Sequence, residues 1–268
     1  MNELKSSTPY DDAYRTMYVM CDGLVFPLLN EVFGEHYTGK EKIIRRGNEH
    51  FDLQQGGVEQ KRVTDSFLEV VGDTRKKYHC ECQSTEDGSI LIRMFQYGSQ
   101  LAIEDAELTD GGLYVEFPHA GLIYLRTATK TRDSMTMHIK VPSGEEASYD
   151  IPVLKMSSYT IDDLFEKQLY FLIPFFIFNL ESQLKAFNED EARLRELTEL
   201  YMSIRTRLDC EVEDGRLVKM DESIVWDLTN KVAHNLARRF ENVKEGIGEI
   251  MGGEVLYLDV FKARDEGL

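Results

Sequence analysis

The apolar residues of this chain change period once, and that switch restricts the folds open to it. Up to about residue 157, helical stretches alternate with short runs of strand chemistry, whereas from Thr160 onward the apolar positions recur every three or four residues. A chain patterned this way builds a sheet with helices first and a purely helical region second. The reading is therefore α/β, more closely α+β, with a mixed sheet flanked by helices over residues 1–157 and a helical C-terminal region over 158–268.

The first part resolves into elements. Tyr14, Met17, Tyr18, Cys21, Leu24, Val25, Leu28, Leu29 and Val32 are spaced by one, three or four, which predicts one amphipathic helix from Tyr10 to Phe33, bent near Pro27. Tyr37 to Gly57 reads as a loop carrying the basic cluster Lys40, Lys42, Arg45 and Arg46. Asp65–Val71 and Lys77–Gln83 have strand composition and are separated by Gly72-Asp73-Thr74, a turn sequence, so they form a hairpin. Ser84 to Asp87 offers caps for a helix of about 16 residues marked by Ile90, Met94, Tyr97 and Leu101. Strands follow at Leu113–Phe117, Leu122–Arg126, Thr136–Val141 and Tyr149–Met156. In the second part, Thr160 to Phe187 reads as one helix. Leu194, Leu197, Tyr201, Ile204 and Leu208, then Ile224, Leu228, Val232, Leu236 and Phe240, read as two antiparallel helices that pack within one chain or across a homodimer.

Composition closes off several classes. With 42% hydrophobic and 29% charged residues, 6 Pro and 19 Gly in 268 residues, the chain is neither disordered nor collagenous. Its longest apolar stretch, Leu169 to Phe178, contains Pro174 and falls well short of the roughly 20 residues that span a bilayer, so no membrane element is expected. Met1 to Pro9 lacks an apolar stretch behind a basic head, so no secretory signal is expected, and four scattered cysteines suit a reducing cytoplasm. The net charge of −17 repels polyanions at long range. It is −6 over residues 1–140 and −11 over 141–268, which assigns any polyanion site to the first part.

Chemistry concentrates between Asp65 and Tyr97. Side chains alternate along a strand, so His79, Glu81 and Gln83 share one face while Tyr78, Cys80 and Cys82 share the other. Asp65 opens the preceding strand and can converge with Glu81, and two carboxylates with water make a site for a hard cation. A half-exposed strand whose polar face meets water carries the same pattern. Zinc held by His79, Cys80 and Cys82 fails because the alternation sends His79 away from both thiols. A nucleophilic cysteine is disfavoured because both thiols lie on the apolar face.

The runs Arg62-Val63-Thr64-Asp65, Tyr78-His79-Cys80-Glu81-Cys82-Gln83-Ser84 and Arg93-Met94-Phe95-Gln96-Tyr97 resemble the PD-(D/E)XK family of recombination-promoting nucleases and transposase-like proteins. The similarity continues through Val115–Pro118, Ile123–Arg126, Leu172–Phe178 and Val243–Gly246 to Met251–Gly253. The resemblance implies a restriction-endonuclease-like sheet and cleavage of DNA that depends on Mg2+ or Mn2+. It also implies a link to recombination or mobile elements. Carried over by residue, Asp65 and Glu81 would bind the metal and the Cys82 carbonyl could add a ligand. Asp65, Glu81 and Gln83 would be catalytic, Arg93 would reach a phosphate, and Tyr97 would pack beneath. Gln83 stands where the broader superfamily has Lys, which replaces a positive charge with amide hydrogen bonds. The superfamily often adds an acid from its first helix, for which Glu31 and Glu35 are the candidates. The rival reading is a nuclease-like module that binds DNA or protein without cutting.

Overall fold

The computed structural model describes residues 9–45, 49–53, 59–63, 66–128 and 130–252, with 49–53, 59–63 and 66 described by their backbone alone. The chain divides into two compact units, Met1–Leu172 and Ile173–Leu268.

The first unit opens with two helices where one was expected: α1 spans Pro9–Met20 and α2 spans Asp22–Phe33. The break falls at Cys21, whose φ of −117° and ψ of 73° leave the helical region, while Pro27 is accommodated inside α2. The cost of Pro27 is one missing donor to the carbonyl four residues earlier. α2 stops at Gly34, which adopts the left-handed conformation (φ 66°) open to a residue without Cβ. Asn30 then braces the chain beyond it, donating to the Tyr37 carbonyl at 2.9 Å and accepting from the Tyr37 N–H at 2.7 Å.

Five strands and a helix precede the centre of the unit: β1 (Lys42–Arg45), β2 (Glu49–Leu53), β3 (Glu59–Val63), β4 (Ser66–Val71), β5 (Arg75–Gln83) and α3 (Ile90–Glu104). After them come β6 (Glu107–Thr109), β7 (Gly112–Tyr114), β8 (His119–Tyr124), β9 (Ser134–Lys140) and β10 (Glu146–Lys155). Six of these make one mixed sheet in the order β1-β4-β5-β8-β10-β9, and β2-β3 and β6-β7 are separate hairpins. The fold is thus α+β. β4 and β5 form the expected antiparallel hairpin, closed by a hydrogen bond from the Gly72 N–H to the Thr74 carbonyl at 3.1 Å. β8 runs parallel to β5 and to β10. β1 was expected as loop, since Ile43-Ile44 is too short to show a period; its pairing with β4 makes it a strand.

Helices cover both faces of the sheet. On one, Ile90 and Met94 of α3 form a buried cluster with Ala120, Leu122 and Tyr124 of β8 and Ile151 and Val153 of β10. Each such side chain removed from water contributes roughly 1.5–3 kcal/mol. On the other, α2 approaches so closely that a Cβ on Gly121 would lie 2.8 Å from Val32 Cγ1 and Phe33 Cζ.

Beyond β10 the single helix expected from Thr160 to Phe187 is a broken series. α4 (Ile161–Glu166) is capped reciprocally by Thr160 and Asp163. Gln168 then turns left-handed (φ 55°), Tyr170–Phe175 forms 3-10 turns around Pro174, and α5 (Ile177–Leu180) and α6 (Leu184–Glu189) follow, separated by another 3-10 turn. Pro174 removes a donor and clashes with a continuous α-helix. Leu169 to Ile173 are all buried, so no face could be read from their spacing.

In the second unit, α7 (Glu191–Glu213) starts at Asp190, whose carboxylate accepts from the N–H groups of Ala192 and Arg193. It packs with α8 (Lys219–Leu236) and α9 (Glu241–Met251) within the same chain. Leu197, Tyr201, Ile204 and Leu208 are buried as their spacing predicts. Phe240 precedes α9 instead of extending α8. Among the described residues, no helix is long and apolar enough to cross a membrane.

Candidate functional site

The central strand β5 carries the alternation expected of it. His79, Glu81 and Gln83 face the side that α3 covers, and Tyr78, Cys80 and Cys82 face the side that α2 covers. His79 Nε2 lies 3.1 Å from Glu81 Oε1, and Gln83 Nε2 donates to Glu81 Oε2 at 3.4 Å. Glu81 is 2% exposed, so the strand's polar face does not meet water there. Tyr97, on α3, presents its ring edge-on to His79 with centroids 5.8 Å apart.

Among the described residues three carboxylates are buried: Glu69, Glu81 and Glu222. Arg75 grips Glu69 with two guanidinium nitrogens, Nη2 at 2.6 Å from Oε2. Glu222 pairs with Arg205 at 2.6 Å and Lys219 at 2.7 Å. Among the described residues Glu81 has neither a lysine nor an arginine, but His79 and Gln83. A buried carboxylate calls for compensation, and hydrogen bonds to two of its four lone-pair sites leave two for a cation.

The backbone supplies a second oxygen. The Gln83 carbonyl accepts from the Leu125 N–H beside β8, and consecutive carbonyls of a strand point in opposite directions. The Cys82 carbonyl therefore points to the β4 side, where β4 begins at Ser66 opposite Cys80. Asp65, the residue before Ser66, lies outside the described residues. Among the described residues no three His, Cys, Asp or Glu side chains group as metal ligands. A carboxylate and a strand carbonyl are hard oxygen donors and fit Mg2+ or Mn2+.

Arg93 sits in the first turn of α3 with Nη2 3.5 Å from Asp87 Oδ2, and its Nε is buried without a hydrogen-bond partner among the described residues. Tyr124, opposite Gln83 on β8, is fully buried and its hydroxyl likewise has no partner among them. Burial, and then the nearby Glu86 and Asp87, hold that phenol above its ordinary pKa. The sequence reading missed Tyr124, because the β5-β8 register is set by residues some forty positions apart. It left His79 without a role, although the two-residue spacing to Glu81 was its signal.

Other expected contributors are engaged elsewhere. Glu31 accepts from Tyr159 at 2.8 Å and Lys167 at 2.6 Å. Glu35 accepts from Lys76 Nζ at 2.8 Å and from the Tyr78 hydroxyl at 2.9 Å, on the α2 side of β5. Burial alone would raise the Glu35 carboxyl, but these hydrogen bonds outweigh it and hold it below the usual range. Neither acid contacts Glu81. At the hairpin tip all three cations are paired, Arg75 with Glu69, Lys76 with Glu35 and Lys77 with Asp105. Arg45 pairs with Asp22 and donates to the Tyr18 carbonyl, Lys40 and Lys42 are exposed, and Arg46 lies outside the described residues. Burial, followed by the Glu81 charge, pushes the Cys80 thiol up to about 12, which suits a core residue and not a nucleophile. No family model, no curated protein and no solved structure matches the chain.

Proposed function

We propose that the chain is a divalent-metal-dependent deoxyribonuclease of the PD-(D/E)XK type, acting on DNA in recombination or mobile-element biology. The observation that carries this reading is Glu81, a carboxylate buried on the central strand with His79 and Gln83 as its partners and, among the described residues, no lysine or arginine. Asp65 and Glu81 would hold Mg2+ or Mn2+, with the Cys82 carbonyl as a further ligand. A bound divalent ion supplies acidity to the attacking water and positive charge at the scissile phosphate.

The chain's own groups divide the remaining work. Gln83, beside Glu81, orients the water through its amide. Arg93 offers the phosphate a guanidinium, and Tyr97 packs against His79 beneath the site. Buried thiols at Cys21, Cys80 and Cys82 support a reducing, cytoplasmic setting. The protein acts as a monomer or a homodimer on this reading. The replacement of the superfamily's Lys by Gln83 favours one rival, a module that binds DNA or protein without cutting.

Plasmid cleavage by the purified protein separates the two. The nuclease reading expects nicking or cutting with Mg2+ or Mn2+, silence in chelator, and loss on Asp65→Ala or Glu81→Ala with the fold retained. Gln83→Ala should slow turnover by about 100- to 1,000-fold, the effect of losing one oriented donor, with little change in DNA binding. Equal activity of the wild type and both carboxylate variants would place the chemistry elsewhere.

A further inference from the structure

We infer that His79 is a positioning residue that fixes the Glu81 carboxylate in the orientation that receives a divalent cation. The inference rests on the nuclease reading and adds a residue to it. His79 is fully buried in the layer between the sheet and α3, where an apolar side chain would fill the space without leaving a polar atom unpartnered. The imidazole does leave one, since Nδ1 is buried with no hydrogen-bond partner among the described residues. Its other nitrogen, Nε2, faces Glu81 Oε1 at 3.1 Å, and because a carboxylate oxygen only accepts, Nε2 carries the hydrogen.

The arrangement grips Glu81 from both sides along one strand. His79, two residues before it, holds Oε1, and Gln83, two residues after it, holds Oε2. With each oxygen engaged once among the described residues, the plane of the carboxylate is set and one lone-pair site remains on each oxygen. Tyr97 lies edge-on against the imidazole, which limits its rotation and so carries the orientation back to α3. Nε2 is spent on Glu81, so His79 acts through the carboxylate and is not itself the ligand. Groups that orient a metal-ligating side chain in this way typically contribute about 10- to 100-fold to metal affinity.

The test measures Mn2+ binding to the full chain without DNA, by electron paramagnetic resonance of the free ion. Wild type should bind, and Glu81→Gln should abolish binding. His79→Leu, which keeps the bulk and loses the donor, should weaken binding by about 10- to 100-fold. His79→Gln, whose amide nitrogen reaches as far as Nε2, should stay within about threefold of wild type, a small fraction of that range. Should His79→Leu not fold, His79→Asn, with an amide too short to reach Glu81, takes its place under the same thresholds. Binding by His79→Leu equal to wild type, or His79→Gln as weak as His79→Leu, overturns the role of His79 while the nuclease reading stands. Absence of Mn2+ binding by the wild type overturns both.

Discussion

Glu69, Glu81 and Glu222 are all hidden from water, yet each is satisfied differently. A bidentate arginine on Glu69 and an arginine with a lysine on Glu222 close those sites. Removing one of those cations would leave a buried carboxylate with less compensation, which is unfavourable. Glu81 instead has two donors from its own strand. Asp227, on α8, shows a fourth situation: burial first, then the Glu222 charge, raise its carboxyl above the ordinary value, and Arg205 offsets this only in part. A carboxyl raised in the fold binds protons more readily there than in the unfolded chain. Its contribution to stability is present below the unfolded value of about 3.9 and is lost as pH rises through the folded value. Asp227→Asn should therefore raise the urea midpoint at pH 7, with a gain that shrinks as the pH is brought down to about 4. A variant less stable than wild type at pH 7 would show that the carboxylate makes a favourable contact outweighing its burial.

Elements whose signal is local were legible in the sequence, and those defined by distant partners were not. The β4-β5 hairpin, α3 and α7 follow from turn residues and spacing, and the shared face of His79, Glu81 and Gln83 follows from strand alternation alone. β1 depends on its pairing with β4, and the place of Tyr124 depends on the register of β5 with β8. Pro27 drew attention as a bend, but the helix breaks at Cys21, beside the turn dipeptide Asp22-Gly23 that the apolar spacing runs across. From Thr160 to Phe187 the apolar residues are so dense that a helix and a run of tight turns look alike. The packing of α2 on the sheet makes a test at this scale. At Gly121 a methyl would meet the side chains of Val32 and Phe33 at 2.8 Å, so these side chains or the helix that carries them must shift to admit it. Gly121→Ala should cost about 1–3 kcal/mol, the usual range for overpacking. The expected observation is a lower urea midpoint with an unchanged slope.

On the nuclease reading, charge decides how the whole molecule would meet DNA. The net charge is −17, and the hairpin-tip cations Arg75, Lys76 and Lys77 are already paired with carboxylates, so the tip has no unpaired lysine or arginine to replace phosphate counterions. Each phosphate neutralised contributes a slope of about −0.9 to log affinity against log salt. Fluorescence anisotropy with duplex DNA should give a slope no steeper than about −3, equivalent to three contacts or fewer. A slope beyond about −5 would mean that the tip cations leave their carboxylates for the phosphates. The alternation of β5 also bears on how the chain reaches this state. Its odd residues from Arg75 to Gln83 meet α3 and its even residues meet α2, and the turn at Gly72-Asp73-Thr74 sets which is which. Slippage of the hairpin by one residue would exchange the two sets entirely, driving Glu81 among the aromatic rings around Tyr78 and turning Tyr78 toward α3. The three turn residues thus decide, from the tip of the hairpin, on which side of the sheet the carboxylate lies.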